Sequence, residues 1–90
     1  MLDRLDALIR ERKANPPAGS YTASLFAKGE DEIVKKVGEE AIEVIVAAKG
    51  QGRERIVSEA SDLVYHLLVL LAEKNIAWAE VEAELQRRYR

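Results

Sequence analysis

Residues 35–66 read KKVGEEAIEVIVAAKGQGRERIVSEASDLVYH and decide the fold. They contain most of two long segments in which apolar residues recur with the period of an α-helix. The first segment is predicted to be helical from Glu30 to about Lys49, and the second from about Arg53 to Glu73. The joint between them is Gly50-Gln51-Gly52, which is short enough to predict an antiparallel αα-hairpin.

Four carboxylates on this hairpin are predicted to converge on one patch. Glu40 and Glu43 lie three residues apart on the first helix, and Glu59 and Asp62 do so on the second, so each pair shares one helix face. A fold point at Gln51 puts Glu43 level with Glu59 and Glu40 level with Asp62. Like charges that are brought together and partly desolvated oppose folding, and a bound cation relieves that cost. The pattern predicts a metal site, with solvated surface charge as the alternative.

The ligand types indicate which metal and which chemistry. Sites built only from carboxylates suit Mg²⁺, with Mn²⁺ as the second choice. Di-iron bundles require two Glu-x-x-His motifs, whereas this chain has a single histidine, His66, and no cysteine. Mg²⁺ commonly completes its coordination shell with substrate phosphates. The patch therefore favours attack of water on a phosphoanhydride.

Cationic side chains border the predicted patch. Lys36 falls at the level of His66, one turn from Glu40, where it binds a phosphate or forms a simple salt bridge with Glu40. His66 itself is read as a buried interface histidine rather than a ligand or base. At the turn end of the hairpin, phosphate binding is weighed against solvated charge for three residues: Lys49, Arg53 and Arg55.

The remaining segments are also predicted to be helical. An amphipathic helix runs from Leu2 to about Lys13, a short helix from Tyr21 to Lys28 follows a Ser20 N-cap, and a final helix spans about Ala77 to Arg88. The short helix is a packing element or, alternatively, a lid or wall beside the patch that uses Tyr21, Ser24 or Lys28.

The apolar residues on the hairpin predict where the core lies. The core stripe of its first helix is expected to be Ile33, Val37, Ala41, Val44 and Ala48. The core stripe of its second helix is expected to be Ile56, Ala60, Leu63, Leu67 and Leu70. Beyond Asp62 the second helix is apolar nearly all round, which requires burial on most sides. The predicted fold is an all-α helical bundle built on the hairpin and completed by homodimerisation.

Composition limits the class of protein. The 90 residues are expected to form one domain, residues 1–90, with a core thin enough to favour self-association. A net charge of −2 argues against nucleic-acid binding. The longest apolar run, Leu63 to Ala72, is about half a membrane span, and no export signal is visible. A soluble, cytoplasmic protein is therefore expected.

Several motifs resemble the phosphoribosyl-ATP pyrophosphohydrolase family, a branch of the all-α nucleoside-triphosphate pyrophosphohydrolase (MazG-like) superfamily. They are SYTASL at 20–25, KKVGEEAIEV at 35–44, AAK at 47–49 and EASDLVYHLL at 59–68. The resemblance implies Mg²⁺-dependent hydrolysis of 1-(5-phosphoribosyl)-ATP to 1-(5-phosphoribosyl)-AMP and pyrophosphate, the second step of histidine biosynthesis, by a homodimer.

The resemblance also implies roles for individual residues. The metal ligands of the family map onto Glu40, Glu43, Glu59 and Asp62. Glu39, also part of the motif, would act from behind the ligands or orient the attacking water. Ala77 stands where a Ser or Thr cap is expected.

Two other functions remain open on sequence grounds. A house-cleaning enzyme that hydrolyses non-canonical (d)NTPs would use the same four acids. A non-catalytic helical dimerisation module would carry them only as surface charge. Some relatives are fused to the enzyme of the following step, and this chain, which has no room for that domain, is expected to act alone.

Overall fold

The structure, a computed structural model, describes residues 1–90 and consists of five α-helices without any strand. The all-α prediction is confirmed, and each helix end lies within one residue of its predicted position. The helices are α1 (Leu2–Ala14), α2 (Tyr21–Lys28), α3 (Glu30–Gly50), α4 (Arg53–Glu73) and α5 (Trp78–Arg88).

Local sequence signals explain where the helices begin and end. The Ser20 hydroxyl accepts a hydrogen bond from the backbone N–H of Ala23 at 3.1 Å and so caps α2. Gly29 has φ of 99° and separates α2 from α3, and Gly52 has φ of 89° at the joint between α3 and α4. These values lie in the left-handed region that glycine adopts without a steric penalty. The two glycines therefore fix the turns that fold the chain.

The apolar core lies at the open end of the α3–α4 hairpin, away from its turn. Ile33 near the start of α3 and Leu68 and Val69 near the end of α4 are fully buried. Ile9 of α1 and Leu25 of α2 complete the same cluster. Helices α1 and α2 thus pack against the open end of the hairpin. The half of the hairpin near its turn is covered by fewer helices.

The predicted core stripe of α3 is shifted in the structure. Ile33 is buried as expected, but Ala48 is exposed, and the other buried residues are Glu40 and Ala47. Ile33, Glu40 and Ala47 recur every seven residues, which is the spacing of a seam between two packed helices. The seam against α4 therefore includes an acid, and the apolar residues beside it face outward.

The same shift occurs on α4. Its buried residues are Glu59, His66, Leu68, Val69 and Ala72. The predicted core stripe of this helix is only partly buried in the structure. Periodicity therefore predicted the helix correctly but not which of its residues are buried. An apolar face that is exposed in the single chain has the same residue spacing as an apolar face that is buried.

Helix α1 fastens the ends of α4 and α5. Lys13 donates from Nζ to the carbonyl oxygen of Ala72 at 3.0 Å, near the C-terminus of α4, where a cation is favoured. The buried carboxylate of Asp6 accepts from the backbone N–H of Trp78 at 3.2 Å. Ala77 cannot cap α5 with its side chain, so a residue of another helix takes that role.

Large apolar residues remain exposed on the outer faces of the hairpin. Ile42 and Ile45 of α3 are each 61% exposed, and Val57 of α4 is 60% exposed. Val34 and Val46 of α3 and Val64 of α4 are exposed as well. None of the five helices combines the length and the apolar content that crossing a bilayer requires.

Candidate metal centre

Three of the four predicted acids come together near the turn of the hairpin. Glu40 and Glu43 from α3 and Glu59 from α4 each offer one carboxylate oxygen, and these oxygens all lie within 4.8 Å of one another. Two of them share a face of α3 because they are three residues apart. The third arrives through the antiparallel register, since Glu43 and Glu59 are equally distant from Gln51.

Two acids of this cluster are buried without enough hydrogen-bond partners. Glu40 is 6% exposed and Glu59 is 4% exposed, and the Oε2 atom of each is buried without a hydrogen bond. A buried carboxylate oxygen without a partner is costly, and such groups in native proteins call for a ligand or an ion. The two free oxygens therefore fit a hard divalent cation, for which carboxylates are preferred ligands.

The other oxygens of these two acids are held by cations of the protein. Glu59 Oε1 accepts a hydrogen bond from Arg55 Nη2 at 2.6 Å, one helical turn earlier. Lys36 Nζ lies 3.5 Å from Glu40 Oε1 and 3.7 Å from Glu39 Oε1. For Lys36 the sequence left a salt bridge and phosphate binding open, and the structure contains the salt bridge. For Arg55 it favoured solvated charge, although the spacing to Glu59 was a signal for this ion pair.

The crowding of the acids affects their protonation. The close approach of the Glu43 carboxyl and, after it, burial raise the pKa of Glu59, and together they outweigh the opposing effect of Arg55. At Lys36, burial alone would lower the pKa of the ammonium group. The hydroxyl of Tyr21 and the carboxylate of Glu40 overcome that effect and raise it. Lys36 is therefore a firmly charged cation beside the cluster.

Asp62 stands apart from the three clustered acids. Its side chain is exposed, and it is not among the residues whose oxygens lie within 4.8 Å. Its backbone carbonyl accepts a hydrogen bond from His66 Nδ1 at 2.7 Å. Burial raises the pKa of Tyr21, and the negative charges of Glu40, Glu32 and, last, Asp62 raise it further. The structure thus places Asp62 at the edge of the site.

A contact between Tyr21 and His66 closes this edge. Tyr21 Oη and His66 Nε2 are 2.8 Å apart. A carbonyl oxygen can only accept, so Nδ1 is the donor to Asp62, and in that tautomer Nε2 is placed to accept from the Tyr21 hydroxyl. Tyr65 stacks against Tyr21 with ring centroids 6.4 Å apart and contacts Thr22 through its hydroxyl. Helix α2 therefore contacts α4 at this edge through Tyr21 and Thr22, and its role as a lid or wall beside the acids stays a prediction.

The other predicted residues lie on the surface. Lys28 at the end of α2 and Lys49 at the end of α3 are exposed and form no ion pair. The Glu39 side chain is 46% exposed and forms an ion pair with Lys36. An open cleft of about 270 Å³ reaches the acids from the turn end. Its lining consists of Glu43, Val46, Gln51, Arg55 and Glu59.

These features define a class: an all-α protein whose central hairpin presents an oxygen-only candidate site for a hard divalent cation. A sequence profile described as phosphoribosyl-ATP pyrophosphohydrolase matches residues 2–89. The chain is 54% identical over 88 residues to the phosphoribosyl-ATP pyrophosphatase of Metallosphaera sedula, covering 98% of this chain and 95% of that protein. It is 57% identical over 88 residues to the corresponding protein of Listeria welshimeri, covering 98% of this chain and 84% of the relative.

A longer relative matches over the whole chain. The identity to the histidine biosynthesis bifunctional protein of Caldanaerobacter subterraneus is 54% over 90 residues, and the chain spans 44% of the length of that protein. The chain belongs to the phosphoribosyl-ATP pyrophosphohydrolase family. The resemblance noted from its motifs is confirmed.

Proposed function

We propose that this chain hydrolyses the α–β phosphoanhydride of 1-(5-phosphoribosyl)-ATP, releasing 1-(5-phosphoribosyl)-AMP and pyrophosphate, as the second step of histidine biosynthesis. Family membership supports the choice of substrate. The observation that carries the chemistry is the cluster of Glu40, Glu43 and Glu59, in which two buried oxygens have no partner. Such oxygens suit a cation that also binds substrate phosphates.

Mg²⁺ is the proposed cofactor, with Mn²⁺ as the alternative. Glu40, Glu43 and Glu59 would hold it, with Asp62 as a fourth ligand after a change of its side-chain conformation. When bound, a divalent cation neutralises charge on the phosphate oxygens and lowers the pKa of a coordinated water. We expect Asp62→Asn to weaken Mn²⁺ binding in a direct titration. Unchanged binding by this variant would remove Asp62 from the ligand set.

Other residues of the chain bind or orient the reactants. Lys36, paired with Glu40 before substrate binds, is assigned to a substrate phosphate. Glu39, more exposed than Glu40, is assigned to orienting the attacking water. Tyr21 lines the site from α2 and is expected to contact the nucleotide. Lys28 and Lys49 are assigned to the phosphates as exposed cations that attract an anionic substrate.

We further propose that residues 1–90 act as one domain in a homodimer. The support is the large apolar residues that the single chain leaves exposed, namely Ile42 and Ile45 on α3 and Val57 on α4. Ile42 and Ile45 are three residues apart and share a face of α3, and neighbouring exposed apolar residues of this kind mark an interaction site. We expect sedimentation velocity to give a dimer for the wild type and a lower mass for Ile45→Glu. A monomeric wild type would contradict the proposal.

The proposed setting is the cytoplasm, because the nucleotide substrate is an intracellular metabolite. Small nucleotides and a second copy of the chain are the proposed partners. A nucleic-acid partner is not proposed, since the formal net charge is −2 and a phosphate backbone requires a basic surface. Association with a membrane is likewise not proposed.

Pyrophosphate release tests the activity. The purified chain is assayed with 1-(5-phosphoribosyl)-ATP and with a panel of dNTPs, each with Mg²⁺ and with chelator. We expect turnover of the phosphoribosyl nucleotide that requires the cation and is lost in Glu40→Gln. Preferential turnover of dNTPs would identify a house-cleaning enzyme instead. No turnover, together with no effect of Mg²⁺ on thermal stability, would identify a non-catalytic dimerisation module.

A further inference from the structure

Arg55 is the protein cation closest to the acids of the candidate metal centre. Its Nη2 atom lies 2.6 Å from Glu59 Oε1, which is the distance of a strong charge-assisted hydrogen bond. The side chain is 57% exposed and lines the cleft that leads to the acids. The guanidinium group therefore stands between solvent and a carboxylate that is 4% exposed.

The cation on the opposite side of the cluster is bound more loosely. Lys36 Nζ is 3.5 Å from Glu40 and is shared with Glu39 at 3.7 Å. Each buried acid thus has Oε1 near a protein cation and Oε2 without a partner. Two protein cations offset part of the charge of the three acids, and the free oxygens show that the offset is incomplete.

We propose that Arg55 is a displaceable counter-ion, which holds Glu59 while the metal centre is empty and leaves it when a divalent cation binds. This inference rests on the cation site described under the proposed function. A dication bound by Glu59 would repel the adjacent guanidinium group and compete with it for the same carboxylate. Because Arg55 is largely exposed, its head group can turn into water at little cost, whereas Lys36 is only 27% exposed.

The displaced group would gain a second role. Arg55 lines the cleft together with Glu43 and Gln51, so a released guanidinium group stays at its mouth. Guanidinium is well matched to phosphate oxygens through paired N–H donors. The group that compensates the acids of the empty centre would then be positioned to meet the phosphates of the substrate.

Direct titration of the cation tests the inference without turnover. Mn²⁺ binding is followed by electron paramagnetic resonance, and Mg²⁺ binding by calorimetry, at one fixed ionic strength and without substrate. Arg55→Gln should bind either cation about 3- to 10-fold more tightly than the wild type, as expected for removal of a partly exposed competing ion pair. Arg55→Lys, which keeps the charge but not the paired donors, should lie between them.

Arg53→Gln is the matched control. It removes the same charge two residues away, from an exposed arginine without an ion pair, and should change the affinity less than about twofold. The metal-free Tm should be lower for Arg55→Gln than for Arg53→Gln, and saturating Mg²⁺ should close that gap.

Three outcomes would overturn the inference. Equal affinities of Arg55→Gln and wild type, with clear binding by both, would leave the cation site standing and remove the role of Arg55. Weaker binding by Arg55→Gln would mean that Arg55 holds Glu59 in the ligating position rather than competing for it. No binding by the wild type would overturn the cation site and the inference together.

Discussion

Two glutamates of this protein make nearly the same ion pair in very different surroundings. Glu59 is paired with Arg55 at 2.6 Å, and Glu84 with Arg88 at 2.7 Å, each across one helical turn. Glu84 also contacts Arg87, and its hydrogen bonds to the two arginines lower its pKa. The pKa of Glu59 is raised instead, because of its contact with the carboxyl of Glu43 and its burial.

The two residues differ in their neighbours: Glu84 is surrounded by arginines, whereas Glu59 lies close to other acids. On α5, two arginines serve one exposed carboxylate, and a surface pair of this kind contributes little to stability. In the hairpin, one arginine and one lysine face a group of three acids, whose oxygens are so close that ionising all three is unfavourable. The candidate metal centre is therefore distinguished by negative charge that the protein's own cations do not fully compensate. The presence of an ion pair alone does not distinguish it.

The largest expected difference between the two glutamates concerns cation binding and turnover. Glu59→Gln should lower kcat/KM and the affinity for Mg²⁺ by at least about 100-fold, since even residues that only support metal ligands have effects of 10- to 100-fold. Glu84→Gln, the same change beside an arginine one turn away, should leave both values at the wild-type level. Steady-state assays and Mn²⁺ titration measure the pair. Full turnover by Glu59→Gln would remove this residue from the metal centre.

The next largest effect is stabilisation by the cation. Mg²⁺ at about 100 times its dissociation constant should add about 2.7 kcal/mol to the free energy of unfolding. For a chain of this size that corresponds to a rise in Tm of about 10–20 °C. Thermal melts with Mg²⁺ or with chelator, at one protein concentration, test this. Glu84→Gln should keep the full rise and Glu59→Gln should lose it, and a wild-type Tm indifferent to Mg²⁺ would contradict the site.

The two glutamates should also differ in the sign of their pH dependence. The raised pKa of Glu59 means that the folded state binds the proton more tightly than the unfolded state, whose value is near 4.5. Its contribution is therefore lost as the pH rises through the folded pKa. The lowered pKa of Glu84 has the opposite effect, and its contribution is lost as the pH falls below about 4.5.

Metal-free melts across pH isolate these two contributions. As the pH rises from about 4.5, the Tm of the wild type should fall relative to the Tm of Glu59→Gln. As the pH falls, the Tm of the wild type should instead fall relative to the Tm of Glu84→Gln. The same slope for both variants would show that crowding at Glu59 has no energetic weight.

The smallest effect is expected from Glu84→Gln at neutral pH. The residue is exposed enough for water and salt to screen its pairs with Arg87 and Arg88, so the Tm of Glu84→Gln should fall only slightly below that of the wild type at moderate ionic strength. A clear loss of stability would mean that the α5 pairs form a network stronger than surface ion pairs usually are. Melts at low and high salt distinguish the two cases.

Much of this architecture could be predicted from sequence because its signals are local. Glycines with positive φ and the Ser20 cap set helix ends within a few residues of themselves. The hairpin register also follows from a short joint, and it brings Glu43 to Glu59. Family motifs then supply the substrate, which spacing alone does not identify.

The remaining features depend on contacts between distant parts of the chain. Tyr21 and His66 are 45 residues apart, and Asp6 and Trp78 are 72 apart, so no local pattern joins them. Apart from Ile33, the residues buried between α3 and α4 also lie beside the predicted core stripes and not on them. An amphipathic pattern reports that a face avoids water, but it does not say whether the same chain or a second copy covers that face.

The hydrogen bond from Trp78 to Asp6 has a consequence for how the molecule opens. Helix α5 has no fully buried residue, and Trp78 at its start is the one residue of this helix that packs against the core cluster. Its amide protons should therefore exchange with solvent through a local detachment that costs far less than global unfolding. The amides around Leu68 and Val69, in the fully buried part of α4, should exchange last. Helix α5 would therefore detach and reattach while the α3–α4 hairpin stays folded and its acids keep their positions.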